Sequence, residues 1–188
     1  TRTAQKLTYM TDPLPEDIEV TGPLSLHLWA EIDQDDTNWI IIVKDVGPDY
    51  SVQTARTGEV ERPKVFEREV TRGWLKASHR AVDESKSLPG QPYHPFTKKA
   101  QQPVTPGEIC RYDIEIAPTS NVFKQDHRIC IEITSLDVPT AIGGDSFVEY
   151  IPWHICSSKT VVHKIYRCQK YPSHLLLPII PKKKEKND

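Results

Sequence analysis

The stretch Leu24-Ser25-Leu26-His27-Leu28-Trp29-Ala30-Glu31-Ile32 constrains the fold of this chain more than any other segment. Every even position is apolar and most odd ones are polar, a two-residue repeat that fits a half-buried strand and no helix. Its inner face is Leu24, Leu26, Leu28, Ala30 and Ile32, which leaves Trp29 on the polar side. Gly22-Pro23 before it and Asp33-Gln34-Asp35-Asp36 after it supply turn chemistry.

Further strands follow from the same reasoning. Trp39-Ile40-Ile41-Ile42-Val43 lacks alternation and reads as a strand covered on both faces, its β-branched run suiting a sheet. Thr71 to His79 places Leu75 and Ala77 on one face and Trp74 on the other. Glu108 to Ile116 aligns Cys110, Tyr112, Ile114 and Ile116. His127 to Ser135 turns Ile129, Ile131 and Ile133 inward and Arg128, Cys130, Glu132 and Thr134 outward, and Ala117 to Asn121 makes the crossing between these two strands. Thr160 to Arg167 and His174 to Ile180 complete the set. Between strands, Ser51 to Glu69 is polar without period and reads as a surface excursion, and Asp83 to Gln102, rich in Ser, Pro, Gly and Lys, as a long connection. Sixteen prolines against eight glycines favour sheet edges and turns over helices. Some seven or eight strands predict an all-β fold, a jelly-roll β-sandwich, over residues 1–181, with the basic stretch 182–188 as a solvated, disordered tail.

Bulk chemistry removes several functions. Twenty-four Lys and Arg against 26 Asp and Glu leave a net charge of -2, so no long-range field gathers phosphate polymers, and nucleic acid is not an expected partner. No apolar run approaches the roughly 20 residues that span a bilayer, and no signal peptide is evident, so no membrane partner and a cytoplasmic location are expected. Cys110, Cys130, Cys156 and Cys168 follow neither a Cys-x-x-Cys pattern nor dense spacing, and read as buried or half-buried free thiols.

Catalytic chemistry is equally hard to place. The strained strand-to-helix turn of an α/β-hydrolase nucleophile needs G-x-S-x-G, and the nearest approach, Gly144-Asp145-Ser146-Phe147-Val148, has valine where the second glycine belongs. His154, His163 and His174 lack the i, i+4 spacing of a helical zinc site, and Asp33, Asp35 and Asp36 lack the glycine and distant glutamate of a calcium loop. No catalytic residue, metal ligand or cofactor is therefore expected. Trp29, Trp39, Trp74 and Trp153 leave one alternative open, a free-standing carbohydrate-binding module that stacks sugars, though an outward tryptophan is more often covered by a loop or a neighbouring domain.

The ordered motifs carry a resemblance. Leu7-Thr8-Tyr9 and Asp12-Pro13-Leu14-Pro15-Glu16-Asp17-Ile18-Glu19-Val20-Thr21-Gly22-Pro23 resemble the opening of the C-terminal domain of the CocE/NonD hydrolases, the X-Pro dipeptidyl-peptidase and cocaine esterase family. Asp36-Thr37-Asn38-Trp39 with Val43-Lys44-Asp45-Val46, Thr71 to Arg80, Pro106-Gly107-Glu108, Pro118 to Phe123 with His127-Arg128-Ile129, and Pro172 to Pro178 continue it in order, from Leu7 to about Pro181. The resemblance implies a galactose-binding-domain-like jelly roll appended to an α/β-hydrolase domain, which would carry the Ser-His-Asp triad and be encoded ahead of Thr1. The chain would then be an accessory domain, inactive by itself, that packs on the hydrolase domain and helps wall its substrate pocket through Asp36, Thr37, Trp39, Arg72 and Trp74. Self-association into a homo-oligomer is expected of an excised domain with a lost interface. Three departures stand out. Asp126 replaces the glycine before His127-Arg128 and argues against a left-handed turn there; Val138-Pro139 replaces Phe-Pro; and the polar stretch from Ser51 to Glu69 is longer than the family's connection.

Overall fold

The computed structural model of the chain describes residues 6–48, 65–136 and 159–182. Its strands are β1 (Leu7–Met10), β2 (Ile18–Ile32), β3 (Asn38–Pro48), β4 (Val65–Lys76), β5 (Cys110–Phe123), β6 (Arg128–Thr134), β7 (His163–Cys168), β8 (Tyr171–Pro172) and β9 (His174–Leu176). Among the described residues, helix is confined to two 3-10 turns, Ala77–His79 and Lys98–Ala100, and no helix is long and apolar enough to cross a membrane.

The strands pair antiparallel in the order β1-β6-β3-β4-β5-β2-β7-β8, with β9 also on β2. At the join of β4 to β5 the pairing shrinks to Gly73 with Ile116, and there the sheet curls over on itself. A Cβ at Gly73 would lie 2.2 Å from the Glu115 carbonyl oxygen, so only glycine permits so close an approach of two backbones. The interior between the halves holds the alternating face of β2 (Leu24, Leu26, Leu28, Ala30, Ile32) against Trp39, Ile41 and Val43 of β3 and Ile129 and Ile133 of β6. Trp39 and Tyr112 meet at 5.2 Å between ring centroids although β4 separates their strands in the sheet, so this contact crosses the sandwich. The all-β sandwich that the alternation predicts is the observed architecture.

Several strands run differently from their sequence pattern, each for a local reason. Residues 65–69, expected in a loop, belong to β4, where a ladder with β3 and ion pairs such as Lys44 with Glu67 (2.7 Å) substitute for apolar alternation; residues 51–64 lie outside the described residues. The strand expected to reach His79 stops at Lys76, because the Asp36 carboxylate accepts from the backbone N–H of Ser78 (2.9 Å) and winds the chain into a 3-10 turn. Ala117 to Asn121, expected as a crossing, continues β5 to Phe123 and pairs with β2. The irregularity between Gly22 and Leu24 takes up Pro23 and the facing Pro118, two residues that could not donate to a ladder anyway. His174 to Ile180 is strand only to Leu176, with an isolated bridge from Ile179 to Val20.

The outward side of β6 is not solvated. Cys130, Glu132 and Thr134 are all buried, with Glu132 held by Lys6 and by Lys44 (3.0 Å). Of the cysteines, Cys110 and Cys130 are buried free thiols as expected, Cys168 is exposed, and Cys156 lies outside the described residues. The connection from Asp83 to Gln102 is ordered. Asp83 N–H donates to Tyr93 O (2.9 Å), Gln102 N–H to Ser78 O (2.8 Å), and buried His94 sits between the carbonyls of Ala81 (3.0 Å) and Asp113 (2.7 Å). Asp126 adopts φ 66°, so the left-handed turn that its side chain argued against is present, in keeping with the tolerance of Asp and Asn for that region.

Candidate functional site

Asp36 and Thr37 sit in the turn between β2 and β3. The Asp36 carboxylate accepts from the N–H of Thr37 (3.0 Å) and of Ser78 (2.9 Å) and pairs with Lys76 (3.2 Å), tying this turn to the end of β4. Thr37 is buried, its hydroxyl 2.8 Å from His163 Nε2 and its carbonyl accepting from Ala77 N–H (2.8 Å). Burial holds the His163 pKa below its ordinary value, against the opposing pull of Asp33. Trp39 is only 1% exposed, between Tyr112 and the edge of His163 (4.8 Å), and the Tyr112 hydroxyl is raised by burial and next by Cys110.

Arg72 and Trp74 project from the opposite face of β4, since the buried alternates on that strand are Thr71, Gly73 and Leu75. The Arg72 guanidinium grips Glu69 with two bonds of 2.5 Å and lies 5.9 Å from the centroid of the Trp74 ring. Two-residue periodicity adds Lys76 to this row, and Lys76 leads to Asp36. The structure thus lines up Arg72, Trp74 and Asp36 along one strip with Thr37 beside it. Trp39 lies beneath, in the core, where its indole touches no solvent.

Sequence reasoning missed a second constellation. His27 Nδ1 faces the Asp113 carboxylate, Arg111 Nε donates to the same carboxylate (2.8 Å), and Ser25 Oγ lies 3.4 Å from His27 Nε2. Serine, imidazole and carboxylate here have the order of a proton relay. Ser25 is 0% exposed and pairs with Leu176 of β9, so no substrate carbonyl reaches it. The His174 ring stacks on His27 at 4.7 Å. The one available signal was His27 standing between leucines on the polar side of β2; the partners come from β5 and β9, at distances in sequence that no spacing rule reads.

Among the described residues no three His, Cys, Asp or Glu side chains gather as metal ligands. Trp29 is half-buried and packs on Tyr171 (5.3 Å), so a covering of this outward tryptophan comes from the chain itself. The segment Gly144 to Val148, Val138-Pro139, Trp153 and His154 lie outside the described residues.

Residues 1–175 match the family described as X-Pro dipeptidyl-peptidase C-terminal non-catalytic domain. A protein named as a serine esterase in Mycobacterium bovis is 30% identical over 179 residues, covering 94% of this chain and 24% of its own length. The cocaine esterase of a Rhodococcus species is 28% identical over 179 residues, covering 93% of this chain and 25% of its own. Among solved structures, a CocE/NonD family hydrolase from Staphylococcus aureus superposes with a TM-score of 0.72 at 26% identity, over 94% of this chain and 31% of that one. The chain thus spans about a quarter of the length of the curated relatives it matches. With a sandwich of the same shape and a match over nearly its whole described length, this chain belongs to the X-Pro dipeptidyl-peptidase C-terminal non-catalytic domain family, the jelly-roll domain of the CocE/NonD hydrolases.

Proposed function

We propose that the chain serves as the accessory domain of a serine hydrolase of esterase or X-Pro dipeptidyl-peptidase type, packs on the hydrolase domain, and contributes a wall to its substrate pocket. The observation that carries this reading is the match of residues 1–175 to a non-catalytic domain that makes up a quarter of longer esterases. Two features of the fold support it. The connection between β4 and β5 carries Leu88, Tyr93 and Phe96 at 64%, 43% and 61% exposure on a frame fixed by His94. Phe96 holds φ 49°, a costly conformation for a bulky residue, which suits an aromatic presented to a partner on a rigid loop. The strip of Arg72, Trp74 and Asp36 offers an aromatic ring and charged groups to a pocket, with buried Thr37 and Trp39 supporting it from below, both in contact with His163.

The test uses the enzyme that contains this domain. Trp74→Ala and Arg72→Ala are expected to change relative kcat/KM between small and bulky acyl substrates by on the order of tenfold, one well-packed contact being worth about 1.4 kcal/mol. Phe96→Asp should split a single thermal unfolding transition into two as the domains uncouple. Unchanged specificity in both β4 variants removes the pocket-wall role, and two independent transitions in the wild type remove the packing itself. Light scattering on the 188-residue chain checks the expected self-association.

A further inference from the structure

The two halves of the sandwich do not close completely. Between β6 and the β2, β7 and β9 side lies a half-open slot of about 210 Å³. Leu26 and Leu28 face Ile131 and Ile133 across it, and Ile165 and Leu175 line its side. An apolar cavity of about 150 Å³ stays dry and accepts benzene, so this slot has room for a small aromatic ring or a chain of roughly six carbons. Nothing apolar is unusual in a gap between sheets; its mouth is what distinguishes it.

At the mouth stand Tyr9, Arg167, Ser173 and His174. Arg167 follows Ile165 on the same face of β7, so its stem runs along the slot and its guanidinium lies 4.7 Å over the Tyr9 ring. Among the described residues no carboxylate pairs with it. The nearest acid on the strand partner, Glu31, belongs to the other face of β7, where Lys164 Nζ and Tyr166 OH already donate to it at 2.6 Å each. Of the neighbouring polar groups, Ser173 donates to Tyr166 O (2.6 Å) and accepts from Trp29 N–H (2.8 Å), and His174 Nδ1 faces Pro172 O (2.7 Å). Among the described residues, the mouth therefore presents an arginine without a carboxylate partner, held against an aromatic ring, over an apolar bore.

We propose that this slot is a binding site for a short amphiphilic carboxylate, an acyl or aryl acid of about six to eight carbons, with its chain among Leu26, Leu28, Ile131 and Ile133 and its carboxylate on Arg167. A carboxylate matches the planar guanidinium in a two-bond geometry that an alcohol cannot make, and an amine is repelled. The site is separate from the strip on β4, and the proposal stands whether or not the chain packs on a hydrolase domain.

Calorimetric titration of the 188-residue chain with hexanoate, hexan-1-ol and hexylammonium tests it. Hexanoate is expected to bind with a dissociation constant on the order of 1 mM, as suits so few heavy atoms, and at least about tenfold more tightly than hexan-1-ol, with no binding of hexylammonium. Shortening the acid to butanoate should weaken binding about fourfold per methylene. Arg167→Gln, at an exposed position, should leave the fold intact by circular dichroism and bring hexanoate down to the affinity of hexan-1-ol. Leu175→Trp, which fills the bore, should abolish binding of both. The proposal is overturned by equal affinities for acid and alcohol in the wild type, by hexanoate binding that Arg167→Gln leaves unchanged, or by silence up to about 20 mM hexanoate, well above the affinity expected for a ligand of this size.

Discussion

Gly47 and Gly73 show how much of this sandwich turns on atoms that are missing. A Cβ at Gly47 would fall 2.3 Å from His127 Cδ2, and His127 cannot retreat because it is buried and bonded to Asp45 (2.7 Å). Gly47→Ala is expected to cost about 2 kcal/mol by overpacking, and Gly73→Ala, where the obstacle is backbone, about 3 kcal/mol or more, both read as lowered urea midpoints at constant m-value. His163 gives a pH effect of definite sign. Its folded pKa is depressed by burial, so the unfolded chain takes the proton first as pH falls, and the stabilisation present above the ordinary value near 6.5 is lost as pH drops toward the lowered one. His163→Gln, which can keep a bond to Thr37, should flatten the fall in unfolding free energy as pH drops below about 6.5; an unaltered slope would show that another group governs it.

Strand β6 carries a charged element in an unusual place, its buried outward face. Burial alone would raise the Glu132 carboxyl, and the ammonium groups of Lys6 and Lys44 outweigh it, so it titrates below the ordinary range. Lys44 is balanced in the same way, its burial outweighed by Glu67 and Glu132. Glu132→Ala would leave Lys44 with Glu67 as its remaining partner (2.7 Å) and is expected to cost about 2 kcal/mol, whereas replacing Glu132 and Lys44 together with leucine and methionine should recover most of that loss in a double-mutant cycle. None of this was legible at the level of pattern, because alternation assigns Glu132 to solvent. Where alternation is strict, in β2, it fixed inner face and strand type; where charge pairs or a proline-bearing bulge carry the ladder, in β4 and β5, it misplaced the ends. The candidate strip was legible only through its resemblance to a family, and the buried cluster of Ser25, His27 and Asp113 was not legible at all, since it needs the register of β2 against β5.

At the scale of the molecule, the pairing pattern links distant parts of the chain. Leu7 pairs with Ile133, Ile18 with Phe123, and Ser25 with Leu176. The central strand β2 is flanked by β5 on one edge and by β7 and β9 on the other, so its backbone bonds are complete only when residues more than 130 positions downstream have arrived. Such long loops make closure slow, and refolding in the millisecond to second range is expected, without a stable product from chains truncated before β7. Stopped-flow fluorescence of the tryptophans and a truncation at residue 158 would check both. During synthesis, then, β2 leaves the ribosome long before its edge partners exist, and its bare ladder is an adhesive surface for as long as translation takes to cover that distance. Selection on the codons and chaperone sites of such a protein should fall on that interval rather than on the core residues themselves.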